Sequence, residues 1–173
     1  MTIAIQPIYT QTVGSGGAAS ITFNNIPQTF TDLVLKISFR GTVAANGVDL
    51  YCYTNNVSND ASYSTTYMSG NGSATGSSRA TGLTFFYFGN GDAASQTANT
   101  FSSHEVYLPN YVNSNFKQII SDSVNENNAT ISSQGLQASL LRNTAAISAL
   151  TLFPASGNIA QYSTFTLYGI TKG

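Results

Sequence analysis

Apolar side chains recur at every second position along almost the whole chain, the spacing that sends alternate residues to one face of a β-strand. In TDLVLKISFRG, Leu33, Leu35, Ile37 and Phe39 point one way, while Val34, Lys36, Ser38 and Arg40 point the other. A packed helix needs a period near 3.6, and no stripe of that period persists for more than a turn or two. Comparable alternation in IAIQPIYTQTV, AASITFNNI, VDLYCYT, GLTFFYFGN, FSSHEVYLP, FKQIISDSV, ATISSQGLQASLL, ISALTLFP and STFTLYGI predicts eight to ten strands. Helical turns are expected only in GDAASQTANTF, capped by Asp92, and in PQTFTDL.

Between these segments lie Gly14 to Gly17, Asn46-Gly47, Asn71-Gly72, Asn90-Gly91-Asp92, Pro109-Asn110 and Ser156-Gly157-Asn158. Gly and Asn tolerate the positive φ that tight turns need. Many strands, regular turns and no alternating helices point to an all-β fold: a single antiparallel β-sandwich, with a jelly roll as the first choice. At 173 residues the chain suits one domain over 1–173. The Gly/Ser/Thr-rich stretch at about 56–80 contains Tyr63, Tyr67 and Met68, and reads as a long loop or hairpin pinned by its tyrosines. The closing STFTLYGITKG places Phe165, Leu167 and Gly169 on one face, as expected of a strand that completes the fold. Gly169 is expected to permit a bulge or the close approach of a neighbouring backbone there.

Charge is scarce: 8% of residues, against roughly 25% in typical domains. Six Lys and Arg against seven Asp and Glu leave no basic stripe for phosphates, so nucleic acid is not an expected partner. With little surface charge to oppose association, the working state reads as an assembly. MTIAIQPIYTQ has neither a basic start nor an unbroken apolar run, and the longest apolar runs are strand-sized, so neither a signal peptide nor a membrane span is expected.

Chemical motifs are weak. GSGGAA and GNGDAA fit a dinucleotide-binding glycine pattern, but the first runs into a strand and the second lacks the later acidic residue, so both read as turns. There is no Gly-Lys pair for a phosphate loop and no G-x-S-x-G nucleophile elbow. His104, the sole histidine, shares a strand face with Ser102, Val106 and Leu108 and reads as structural. Asp122 and Glu126 would diverge at a strand end instead of facing each other across a cleft. Cys52 falls beside Val48 and Leu50 as a small core residue. No catalytic, cofactor or metal site is expected.

Aromatic content stands out: ten Tyr, ten Phe and no Trp. Tyr51 and Tyr53 stand opposite Leu50 and Cys52, which makes them outward candidates. In LTFFYFGN, Leu83, Phe85 and Tyr87 share one face and Phe86 and Phe88 the other, so the strand must be covered on both sides, by its own fold or by another subunit. Tyr51, Tyr53, Phe86 and Phe88 are the candidate interface.

Two stretches, ASITFNNIPQTFTDLVLKISFRG and AISALTLFPASGNIAQYSTFTLYGI, resemble a group of small virion structural proteins of tailed bacteriophages. The resemblance rests on Ile26, Pro27, Phe30, Asp32 and Leu33 and on the terminal Ser-Thr-Phe-x-Leu-Tyr-Gly-Ile, and does not extend over Gly41 to about Phe101. It implies a non-enzymatic component of the particle, foremost a capsid decoration (cement) protein on the capsid exterior, made in the host cytoplasm. Its partners would be the major capsid protein and neighbouring copies of itself. The other reading is a tail or head fibre module that binds a host surface glycan through aromatic and amide side chains such as Tyr63, Tyr67 and Asn71.

Overall fold

A computed structural model describes residues 4–128 and 132–172, and every regular element among them is a β-strand. In chain order these are β1 (Ala4–Thr12), β2 (Ile21–Phe23), β3 (Asp32–Phe39), β4 (Val48–Thr54), β5 (Tyr63–Gly70), β6 (Thr75–Leu83), β7 (Phe86–Gly91), β8 (Ser102–Pro109), β9 (Lys117–Val124), β10 (Gln134–Leu141), β11 (Leu150–Pro154) and β12 (Thr164–Thr171).

All named pairings are antiparallel, and eight strands form a nested set: β1 with β12, β2 with β11, β3 with β8, β4 with β7. Such nesting describes one long hairpin, and rolling it up deals its pairs alternately into two sheets. One sheet contains the order β1-β12-β3-β8 and the other β2-β11-β4-β7, the arrangement of a jelly roll. Two hairpins are inserted into this frame. β5 and β6 lie between β4 and β7 in sequence, β9 and β10 between β8 and β11, and together they extend the first sheet to β1-β12-β3-β8-β9-β10-β5-β6.

Twelve strands exceed the expected eight to ten, and the two extra ones are β5 and β6, from the Gly/Ser/Thr-rich stretch. Serine and threonine suffice there because β6 is exposed along most of its length and needs no apolar face. The short helix expected after Asp92 is also corrected, since that segment forms turns. The carbonyls that a helix would bond internally are drawn to Arg40 instead. Its guanidinium donates to Thr97 O and Thr100 O, each at 2.8 Å, and to Gln96 O at 3.0 Å.

The core lies between the sheets. Leu33, Leu35, Ile37 and Phe39 of β3 are buried against Leu50 and Cys52 of β4, Leu150 and Leu152 of β11, and Phe165 and Leu167 of β12. Each such side chain contributes about 1.5–3 kcal/mol by leaving water. β12 runs inside the large sheet between β1 and β3. A Cβ on Gly169 would stand 2.4 Å from the Phe30 ring, so what approaches there is a side chain packed across β12 and not the expected neighbouring backbone.

Candidate interaction surfaces

The outer face of the four-stranded sheet is a ledge of half-buried aromatic rings. Alternation along β4 buries Val48, Leu50 and Cys52 and turns Tyr51 and Tyr53 outward. Phe153 of β11 and Tyr87 of β7 face the same way, and Phe85 joins them. Tyr51 stacks on Phe85 at 3.9 Å between centroids and meets Phe153 edge-on at 5.7 Å. Tyr53 lies 5.5 Å from Phe153, and Tyr67 of β5 meets Tyr87 edge-on at 5.4 Å.

Asp49 is the polar centre of this ledge. Its carboxylate accepts from Tyr51 Oη at 3.3 Å, Tyr87 Oη at 3.2 Å and Asn90 Nδ2 at 2.9 Å. Burial, with the Asp49 charge beside it, pushes the Tyr51 phenol up to about 12, and the same causes raise Tyr87 further. Both hydroxyls therefore stay protonated and keep donating. The ledge combines broad apolar area with a fixed carboxylate and amide, which suits docking rather than bond making.

Phe86 and Phe88 require a correction: both are fully buried in the chain's own core, not placed at an interface. The reason is a change of sheet inside LTFFYFGN. Leu83 pairs with Tyr63 in the large sheet, whereas Phe86 pairs with Cys52 in the small one, so the inward phase restarts at Phe86. Phe85 and Tyr87 then turn outward. Of the aromatic and amide group Tyr63, Tyr67 and Asn71, only Tyr67 reaches the ledge. Tyr63 is buried with its hydroxyl 3.0 Å from Thr54 Oγ1, and Asn71 Oδ1 closes its own turn by accepting from Ser73 N and Ala74 N.

The groups weighed for chemistry are dispersed. His104 is buried, and burial pushes its imidazole down to about 4. Nδ1 lies 3.0 Å from Phe88 O, which can only accept, so Nδ1 carries the proton; Nε2 faces Ser102 Oγ at 3.0 Å. Burial raises the Cys52 thiol well above its ordinary value. Asp122 faces outward from β9, and the Glu126 carboxylate accepts from Asn128 N at 2.9 Å. Among the described residues no group of three or more His, Cys, Asp or Glu could hold a metal ion.

No protein-family model and no curated protein matches the chain. The surfaces must therefore be read from their own chemistry.

Two cations and a carboxylate with structural roles escaped the sequence reading. The Lys117 ammonium is buried and donates to Asn113 O and Asn115 O, both at 2.6 Å; burial lowers its affinity for a proton. Arg40 ties down the turns after Asp92, as described above. Burial disfavours the Asp32 charge, but the Lys172 ammonium, the Tyr107 hydroxyl and the Asn110 amide outweigh it and hold the carboxyl below its ordinary value. Nothing in the sequence pairs these residues, because each partner arrives through turns or register.

The second surface is the outer face of the large sheet where the inserted hairpins extend it. Over 120–124 of β9 and 134–139 of β10 the usual pattern is reversed, whereas Ile119 and Leu141 are buried in the ordinary way. Ser121, Ser123, Gln137 and Ser139 face inward, while Ile120, Val124 and Leu136 face solvent with 55%, 36% and 46% of their surface exposed. Met68 on β5, paired with Leu136, is 59% exposed. Close approach of β7 explains the inward side. A Cβ on Gly89 would stand 2.1 Å from Ser123 Oγ, and the Phe88 carbonyl of this edge strand accepts from Ser121 Oγ at 2.9 Å and from His104 Nδ1. Small hydroxyls fit and satisfy that backbone, whereas branched apolar side chains would do neither.

Proposed function

We propose that this chain is a non-enzymatic virion structural protein, and that it acts as a capsid decoration module docking on the major capsid protein lattice through the aromatic ledge of its four-stranded sheet. The observation that supports this reading best is the ledge itself. Tyr51, Tyr53, Phe85, Tyr87 and Phe153 lie on the outer side of a sheet whose inner side is already filled by Leu50, Cys52, Phe86, Phe88 and Leu152. Tyrosine and phenylalanine anchors of this kind dominate the energy of protein interfaces. Repetition over a lattice would add weak single contacts through multivalency. The resemblance of the first and last quarters of the chain to phage virion proteins supplies the setting.

Copy number in purified virions tests the reading. A decoration protein is expected at on the order of hundreds of copies, one for each of many repeated lattice sites. A few dozen copies or fewer would favour a tail or head fibre module instead. One observation speaks for that second reading: the Asp49 carboxylate and the Asn90 amide set among tyrosine rings form a polar centre of the kind that binds sugar hydroxyls. Retention of the protein on host surface polysaccharide, lost with Asp49→Asn, would carry the second reading over the first.

A further inference from the structure

We infer that the outer face of β9, β10, β5 and β6 is a self-complementary interface on which a second copy of this chain packs about a two-fold axis. Ile120, Leu136 and Met68 form an exposed apolar patch there, and the inward positions beside them on β9 and β10 are Ser121, Ser123, Gln137 and Ser139. The apolar surface these groups still show to water on the outer face can be buried only from outside the chain.

The charges on this face identify the occupant. Along one register row stand Lys36, Glu105, Asp122, Leu136 and Met68, each on the strand next to the last. Lys36 is ion-paired with Glu105. Asp122 lies directly opposite Glu105 and forms no ion pair among the described residues, so two carboxylates adjoin with one cation, Lys36, on the far side of Glu105. Like charges in that position destabilise a sheet. At the other end of the patch, Arg79 on β6 is exposed and likewise forms no ion pair among the described residues.

Asp122 and Arg79 are three strands apart and two residues apart in register, more than about 14 Å at the usual strand spacing, too far to pair within one chain. The midpoint between them falls between β10 and β5, near Leu136 and Met68. A two-fold axis lying in the interface at that point puts Arg79 of each copy on Asp122 of the other, with the apolar patch closed between them. This is the reciprocity of an isologous contact: one residue pair occurs twice and relieves the crowding of Glu105 and Asp122 in both copies. The face is also contoured. Met68 and Leu136 border one shallow groove, while Ile120 and Arg79 border another.

Sedimentation velocity of the full chain tests the inference with a charge exchange. The wild type should sediment as a dimer within about 1 to 500 μM, a range of protein–protein affinity that modest interfaces reach. Arg79→Asp and Asp122→Arg each oppose like charges across the axis and should weaken the dimer by about tenfold or more, while the double variant restores the pair and the affinity. Both side chains are exposed, so circular dichroism should be unchanged in all three variants, which separates association from folding. Leu136→Ser should weaken the dimer with no rescue by either exchange. A wild type that stays monomeric throughout this range overturns the inference. So does dimerisation indifferent to the single exchanges, or a double variant no better than the singles.

Discussion

Strand β3 and the β9–β10 hairpin belong to one sheet, yet they obey opposite rules. β3 buries Leu33, Leu35, Ile37 and Phe39 and leaves Lys36 exposed. Past Ile119 and Leu141, which are buried at one end, β9 and β10 bury Ser121, Ser123, Gln137 and Ser139 and leave Ile120, Val124 and Leu136 outside. The difference lies in what each packs against. β3 faces side chains of the opposite sheet, so apolar volume is rewarded there. The hairpin faces the edge of the small sheet at β7, where a backbone carbonyl accepts from Ser121 and a glycine makes room for Ser123 and Gln137. Alternation thus reports that a strand has two unlike sides. Which side is the core depends on the neighbour.

The largest effect should fall on the conventional side of this contrast. Leu35→Ala or Phe88→Ala should cost about 2–5 kcal/mol in chemical denaturation, through lost burial and a residual cavity. Phe88→Ala should lower stability even where no assembly partner is present, since Phe88 is wholly internal. A loss under about 0.5 kcal/mol at either site would break the distinction, being the range of ordinary surface changes.

A pH dependence probes the polar seam next. His104 is neutral in the folded chain down to about 4, against an ordinary value of 6.5 when unfolded. Below 6.5 the unfolded chain takes up a proton that the native chain excludes, so stability falls as pH drops from 6.5 towards 4. The loss attributable to this group reaches about 3 kcal/mol. His104→Gln should flatten that slope whatever it does to stability at neutral pH. An unchanged slope would mean that the imidazole titrates freely.

Smaller still, Ser121→Ala removes one of two donors to the Phe88 carbonyl and should cost about 1 kcal/mol. Ile120→Ser, on the opposite face of the same strand, should change the stability of the isolated chain by no more than about 0.5 kcal/mol. If Ile120 proves as costly as Ser121 or Leu35, β9 is not inside-out in solution.

Much of this architecture is legible in the sequence, but unevenly. Strong alternation with charges on the outer side placed β3 and β4 correctly, including Cys52 inside and Tyr51 and Tyr53 outward. FKQIISDSV and LTFFYFGN are harder to read, for different reasons. Adjacent Ile119 and Ile120 leave the phase of β9 undecided, and only the closeness of β7 selects the serines for the interior. In LTFFYFGN the chain changes sheet between Leu83 and Phe86, and a phase carried across that break puts Phe86 and Phe88 on the wrong face. The β5–β6 hairpin had only its tyrosines and the Asn71-Gly72 turn to announce it. Asn71 and Gly72 do form the turn, with Gly72 at φ 83°. The Asp49 cluster was invisible because its donors come from β4, β7 and the strand end at Asn90, and register alone brings them together.

Under the proposed function, outward aromatics serve a partner and inward ones serve the fold. Tyr53→Ser tests that most directly, because Tyr53 sits on the ledge with Phe153 as its ring partner. Binding to particles lacking the protein, measured beside an unfolding curve of the same sample, should weaken by about tenfold or more, while stability falls by only about 1 kcal/mol. Full particle binding by Tyr53→Ser, or a loss of binding that merely tracks a loss of folding, would contradict it.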